Sequence, residues 1–485
     1  MRTRTLVILG ILAVLAVVLV FLDRYWTEKR EEREIRAKRV FAETIWDQVR
    51  KIEVQTEKTR DTVVLQRQRK GNETVWRLLA PFREEADKDF ADRFWNTLKD
   101  LQADRRLTLE PDADLAQYGF DSPRATIRLL GAGDRELAVL LVGGKTPATN
   151  DLYAKLKDRQ EVLILPSFRE STLIPALKDF RQKRLTHLKA TDIVRVTLFR
   201  KGMDPETLRF VKEDGLWKIE QPYPMLASAA SLLSLTSTIE FLEAEDFIAE
   251  QPDDLSPYAL NEPRFRLTVE TRDGTQQTFL FGKEHDTGSV YAMVARKPRV
   301  VTVRKGVVDD LKRGIDYWRS QQAADFDYYN LERVEIRMGK RQWLLEKETE
   351  EGEVWKEHWY VVQGGQRREI ELERVDDFLR NLDFAEAAEI RDNLSDAELT
   401  ELGFSHPWMV IRLKDKDRPE QTMQIVRKDG ELWTRNPEFP RTVFHVKKDS
   451  VQQIRKSWNK LRLVLQPEKK RRDTAGRAGK KESGK

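Results

Sequence analysis

The stretch Leu115–Leu129, LAQYGFDSPRATIRL, has two companions in the same chain: LSPYALNEPRFRLTV at Leu255–Val269 and LTELGFSHPWMVIRL at Leu399–Leu413. Their prolines, Pro123, Pro263 and Pro407, stand 140 and 144 residues apart. Each copy reads as a short helix, a stop and a strand. Gly119 and Gly403 sit where the chain leaves the helix, a position that favours positive φ. The second copy has Ala259 there, so its helix must end differently or under strain. Each proline drives the residue before it into extended geometry. The strand that follows alternates: Ala125, Ile127 and Leu129 on one face, Thr126 and Arg128 on the other. Phe265, Leu267, Val269 and Met409, Ile411, Leu413 repeat the apolar face. In the third copy Ser395 and Glu398 have capping-box spacing.

Other landmarks keep the same order and period. VWRLLAP (Val75–Pro81), LWKIEQP (Leu216–Pro222) and HWYVVQG (His358–Gly364) place Trp76, Trp217 and Trp359 at spacings of 141 and 142. VRKIEV from Val49, IVRVTL from Ile193 and LERVEI from Leu331 open the units. EVLILP from Glu161, RVVTVR from Arg299 and TVFHVK from Thr442 come late. Phe180, Trp318 and Trp458 lie on the closing helices. Apolar residues recur at helical spacing in Phe90, Phe94, Leu98, Leu101; in Leu232, Leu235, Ile239, Leu242; and in Val375, Phe378, Leu379, Leu382. Strands and helices in separate runs predict three tandem α+β domains with largely antiparallel sheets and flanking helices.

A chain of 485 residues is long enough for three such cores. The predicted organisation is an N-terminal transmembrane anchor over 1–22, a charged helical stalk over 23–46 and repeat domains over 47–185, 192–324 and 330–465. A basic tail, expected to be disordered, spans 467–485. The anchor is Thr5–Leu22, eighteen residues without a charge, about 27 Å long as a helix against a hydrocarbon core of about 30 Å. A cleaved signal peptide would have a shorter apolar run ending in small residues; this one ends in Val20, Phe21 and Leu22. The lysines and arginines after the anchor outnumber the two before it, which favours a cytoplasmic body, although long domains translocate largely regardless of flanking charge.

The net charge is +5, and the tail, with eight basic and three acidic residues, carries that much alone. The body is near neutral, so no specific nucleic-acid partner is expected. The absence of cysteine excludes disulfides, thiolate catalysis and cysteine metal sites. GGKT at Gly143–Thr146 lacks the glycine that a phosphate loop requires at position 139, which is Val139, and with FGKE (Phe281–Glu284) reads as a turn between strands. SWNK (Ser457–Lys460) lacks the supporting elements of a Ser-x-x-Lys hydrolase. His187, His285, His358, His406 and His445 are scattered without metal-ligand spacing. Asp376 and Asp377 are expected on the solvent side of the third helix. Catalytic, cofactor-binding and metal-binding residues are all predicted to be none, and no cofactor is expected.

Trp76 with Pro81, Trp217 with Pro222, and Tyr118, Gly119, Phe120, Asp121 and Pro123 resemble the motifs of the bacterial domain of unknown function 4340 family. The third unit departs, with Gly364 and Leu402 at the proline and tyrosine positions. The resemblance implies a single-pass inner-membrane protein with its body outside the cytoplasm, associated with the membrane and ATPase subunits of gliding-motility-type ABC transporters. It implies no catalytic residues. The expected function is that of a non-enzymatic accessory or scaffold protein. The alternatives are an envelope polymer binder using exposed Tyr291, Trp433 and Trp343, and a hydrolase with carboxylates gathered between domains.

Overall fold

In the computed structural model the structure describes residue 24 and residues 36–466, except 72, 109–113, 287, 351–355 and 417. The anchor expected at Thr5–Leu22 and the tail lie outside the described residues. Among those described, no helix is long and apolar enough to cross a membrane. Two compact units divide at Lys183 and Arg184; the first holds repeat 1, the second repeats 2 and 3.

Repeat 1 is a nine-stranded antiparallel sheet: β1 (Lys51–Thr56), β2 (Val63–Lys70), β3 (Glu73–Ala80), β4 (Glu84–Glu85), β5 (Arg105–Thr108), β6 (Ala125–Leu130), β7 (Glu136–Lys145), β8 (Leu152–Leu156) and β9 (Glu161–Leu165). Repeat 2 has β10 (Ile193–Arg200), β11 (Thr207–Glu213), β12 (Leu216–Gln221), β13 (Met225–Leu226), β14 (Asp246–Ala249), β15 (Phe265–Thr271), β16 (Gln276–Glu284), β17 (Ser289–Val294) and β18 (Val300–Arg304). Repeat 3 has β19 (Leu331–Met338), β20 (Arg341–Glu350), β21 (Lys356–Gln363), β22 (Gln366–Ile370), β23 (Ala387–Arg391), β24 (Met409–Asp415), β25 (Gln421–Lys428), β26 (Glu431–Arg435) and β27 (Val443–Val446). All three sheets have one strand order, 4-3-2-1-6-7-8-9-5 counted within the repeat. The short fifth strand, which pairs with the ninth, was not foreseen: RRLT, DFIA and AAEIR are too short and too mixed to show alternation.

The fourth and fifth strands are joined through one twelve-residue helix per repeat: α1 (Lys88–Lys99), α2 (Ala229–Glu240) and α3 (Leu372–Asp383). Asp87 and Ser228 cap the first two by accepting hydrogen bonds from the amides of Phe90 and Ser231. The helix stripe packs on the apolar sheet face. Phe94, Leu98, Ile52, Val54 and Ile127 are buried together in repeat 1, and the matching residues form one core each in repeats 2 and 3. The third-strand tryptophans are buried in all three. The closing aromatic meets this core each time: Phe180 lies edge-on to Phe94 at 5.3 Å, and Trp318 and Trp458 lie 5.5 and 5.3 Å from Phe210 and Phe378. In repeat 3 the closing segment is a long helix, here called α5 (Lys448–Val464), with α4 (Asp396–Leu402) preceding it in the corner.

The stalk expected over 23–46 is body from Arg39 onward. Arg39 bridges Gln102, and Val40, Phe41 and Trp46 are buried in the repeat 1 core. Trp46 stands edge-on to Trp95 at 5.0 Å. The joints are packed as well. Thr186 is buried and donates to Gln277, whose amide donates to the Leu185 carbonyl. Gln421, at the same position of repeat 3, accepts from the Asp325 amide, and Phe326 and Tyr328 join the repeat 3 core.

Candidate functional site

The corner motif is built as expected in outline. Ala116–Tyr118 and Ser256–Tyr258 are single 3₁₀ turns, whereas α4 is a true α-helix with the Ser395–Glu398 capping box. Gly119 and Gly403 are left-handed, with φ of 79° and 101°. Ala259 adopts φ 53°, so the second copy keeps the same exit at a cost.

GGKT and FGKE are not turns. Gly143–Lys145 close β7 and Phe281–Glu284 close β16, where the pairing register shifts. A Cβ on Gly143 would sit 2.2 Å from the Tyr118 carbonyl oxygen, and one on Gly282 would sit 2.0 Å from that of Tyr258. These glycines therefore let the corner backbone lie directly on the strand. In repeat 3 the position is Val426, and the corner rides on side chains instead: Leu399, Leu402, Phe404, Val426 and Trp433 form a separate small core.

That arrangement also accounts for the aromatics expected to be exposed. Tyr153, Tyr291 and Trp433 occupy one position behind the corner. Tyr118 packs edge-on to Tyr153 at 5.0 Å and Tyr258 to Tyr291 at 5.1 Å. Trp433 is buried, stacked on His445. Trp343 is buried against Trp458. None of the three belongs to an open aromatic row.

Asp376 is not on the solvent side. It is half-buried and accepts from the Trp359 indole N–H at 3.3 Å, and burial raises its pKa. Asp92 does the same for Trp76 at 2.7 Å. In repeat 2 the matching residue is Leu233, 63% exposed. Helix α2 differs from its sisters along part of that side. Ala230, Leu233 and Ser234 are exposed where α1 has Asp89, Asp92 and Arg93 and α3 has Glu373, Asp376 and Asp377, whereas Phe241, 55% exposed after α2, is matched in repeat 3 by the exposed Phe384.

The largest departure from the shared pattern is on the polar face of the sheet. In repeat 1, Glu53 on β1 faces Arg128 on β6 and pairs with it at 3.4 Å. In repeat 3, Glu335 on β19 faces Arg412 on β24 at the same distance. The matching residues of repeat 2 are Thr197 and Thr268, also directly opposite each other. Beyond Thr197 the same rung continues to Arg209, where the sisters have Val64 and Leu344. Beyond Thr268 it continues to Thr278, whose hydroxyl lies 2.9 Å from that of Thr268. Replacing two long charged side chains by two threonines leaves a groove of about 450 Å³ lined by Arg195, Thr197, Arg209, Glu220, Thr268, Glu270 and Gln276. Glu270 is occupied, 3.6 Å from Arg195 and accepting from Gln276 at 2.9 Å. Arg209 and Glu220 have no side-chain partner among the described residues. The signal was visible in the quoted stretches, where Arg128 and Arg412 align with Thr268. The strand register needed to give it meaning was not.

The expected inter-domain carboxylate exists between repeats 2 and 3, but as a joint. Asp392 accepts from Arg319, from the Tyr223 hydroxyl at 3.1 Å and from Thr442 at 3.0 Å. Burial and the Asp392 charge raise the Tyr223 pKa. Both oxygens of Asp392 are engaged by donors, which suits holding rather than proton transfer. Lys218 adds a 2.6 Å pair with Glu438 across the same seam. The histidines stay apart: His358 pairs with Glu369, His445 with Glu431, and His285 lies edge-on to Tyr291. Among the described residues no cluster of histidine and carboxylate side chains could hold a metal ion.

A family profile described as a domain of unknown function (DUF4340) matches residues 76–221 and 217–407. The chain belongs to this family. Both matched segments begin at the conspicuous tryptophan, Trp76 or Trp217, and so start within the third strand of repeats 1 and 2. The family's sequence unit is thus offset from the unit that folds. No curated protein and no solved structure is similar to this chain.

Proposed function

We propose that this DUF4340 protein is a membrane-anchored scaffold of a transporter-type complex. Thr5–Leu22 would be its anchor, its three domains would lie outside the cytoplasm, and protein contacts would be its means of action. The observation that carries the reading is helix α2. Three copies of one fold have had equal opportunity to place charge on this helix, and two have done so. The copy in repeat 2 presents Leu233 to solvent beside Ala230 and Ser234 where both sisters carry charge, and an uncharged helix side is what protein contact selects. The cores beneath are closed, and the matched landmarks are core residues, which is what a rigid spacer requires. The Asp392 joint supports the same reading, because it couples repeats 2 and 3 through buried polar contacts.

The test is purification of the full chain in mild detergent through a terminal tag, with co-purifying proteins identified by mass spectrometry. Stoichiometric recovery of the membrane and ATPase subunits of an ABC-type transporter, lost in Leu233→Asp/Phe241→Lys, is the expected result. Recovery unchanged by those substitutions would move the contact elsewhere. A clean chain without partners would remove the scaffold reading. Resistance of the membrane-bound chain to alkaline carbonate extraction tests the anchor separately.

A further inference from the structure

From the sheet face of repeat 2 we infer that the groove over Thr197 and Thr268 is a binding site for a neutral, hydroxyl-rich ligand, a segment of a saccharide. The inference stands apart from the scaffold reading and rests on a different surface. Its first ground is the internal control. The same two positions hold an ion pair in repeats 1 and 3, Glu53–Arg128 and Glu335–Arg412, and those side chains lie where the groove of repeat 2 is open. The fold therefore does not require the hollow. Its volume, about 450 Å³, falls within the range of small-molecule sites.

The lining then narrows the ligand. All seven residues are polar, and most of the surface they expose in the groove is polar, so an apolar guest is poorly matched. Arg195 and Arg209 oppose a cation, while Glu220 and Glu270 oppose an anion. The four formal charges cancel, which disfavours any ligand of high net charge. The remaining requirement is for a neutral molecule that both donates and accepts hydrogen bonds at short intervals. A hydroxyl does both from one atom. Arg209 can only donate and Glu220, as a carboxylate, can only accept, and neither has a partner among the described residues. A pair of adjacent sugar hydroxyls satisfies one of each. The threonine hydroxyls on the floor supply further donors and acceptors whose hydrogens can rotate to suit.

The experiment is isothermal titration calorimetry of the full chain, held in lauryldimethylamine oxide so that no sugar detergent competes. The probes are maltohexaose, cellohexaose and chitohexaose, with glycylglycine as a zwitterionic control. Saturable binding of at least one hexasaccharide is expected. It should weaken at least tenfold in Thr197→Glu/Thr268→Arg, which copies the sister repeats, and in Arg209→Ala, which leaves the floor intact. Glu53→Thr/Arg128→Thr in repeat 1 should leave it unchanged. Thermal unfolding of each variant distinguishes loss of the site from loss of the fold. Absence of binding by all three sugars would overturn the proposal. So would binding that both repeat 2 variants retain while folded, or a preference for glycylglycine.

Discussion

Repeats 2 and 3 share a strand order, a helix and a buried tryptophan, yet they differ wherever a surface or a close contact is made. Repeat 2 seats its corner on Gly282, has Leu233 at the helix position whose aspartate bonds the tryptophan in the other repeats, and lines its sheet with Thr197 and Thr268. Repeat 3 has Val426, Asp376 and the Glu335–Arg412 pair at those places. The comparison separates two kinds of constraint. Apolar positions on the buried sheet face are fixed by the need to fill one space, and they recur in every copy. Positions outside that space are free to be solved more than once, and each repeat has its own solution.

The corner gives the strongest test. Gly282→Val gives repeat 2 the residue of repeat 3 without the α-helix that accommodates it. Its Cβ would lie 2.0 Å from the Tyr258 oxygen, so the corner must lift. A loss of about 3 kcal/mol or more is expected, read as a lower urea midpoint and as faster hydrogen exchange in β15 and β16. The reverse change, Val426→Gly, removes a side chain from the small core around Trp433. It should cost about 2 kcal/mol, from lost burial and a more flexible strand, with exchange rising in α4 and β25. If the two changes proved equally mild, the two corners would not be distinct solutions.

The helix contrast comes next in size. Asp376→Val leaves the fully buried Trp359 indole without its acceptor and should cost about 1–3 kcal/mol in urea unfolding. Asp376→Asn, which keeps an acceptor, should lose much less. Leu233→Asp would bring the bond of repeat 3 into repeat 2, with a gain of at most about 1 kcal/mol.

The last residues of the two helices differ in the same way. Glu240 accepts from the Ala190 amide at 2.9 Å, while Asp383 is pushed up to about 6 by burial and by the neighbouring Asp327 and Asp325 charges. A carboxyl raised in the folded state binds its proton more tightly there than in the unfolded chain, whose value is near 3.8. Its burial is therefore tolerated best below about pH 4, and stability falls as pH rises from about 4 to about 6. Asp383→Asn should flatten that stretch of the stability–pH profile. An unchanged profile in Asp383→Asn would show that the proton is not held there.

Much of this architecture was legible because it depends on apolar periodicity. The alternation of Ala125, Ile127 and Leu129 gave β6, and the spacing of Val375, Phe378 and Leu382 gave α3. The repeats supplied the domain count. What stayed hidden depends on pairing. That Gly143 and Gly282 meet a backbone oxygen, or that Thr197 stands opposite Thr268, follows only from which strand lies beside which, and local sequence does not encode register across 70 residues. Trp433 and Trp343 were misjudged for a related reason. A tryptophan within an alternating strand shows that one face is buried, and the helix or corner that covers it comes from elsewhere in the chain. Arg39 to Trp46 looked like a stalk because its charges dominate, although Val40, Phe41 and Trp46 were sufficient to seat it.

The smallest expected effect comes from the residue the sequence flagged as out of place. Ala259 holds φ 53° and ψ 38° at the exit of Ser256–Tyr258, a conformation that Gly119 and Gly403 adopt without a Cβ. The penalty for an alanine there is about 1 kcal/mol. Glycine would remove it but would also give the unfolded chain more freedom, which offsets part of the gain. Ala259→Gly should therefore stabilise repeat 2 by roughly 0.5 kcal/mol, seen as slower exchange of the amides that pair β15 with β16. Ala259→Val should destabilise by more than that, because a β-branched side chain tolerates positive φ least. If glycine destabilised instead, the left-handed exit of the second corner would be supported by contacts of the alanine methyl, and the strain inferred from its backbone would be absent.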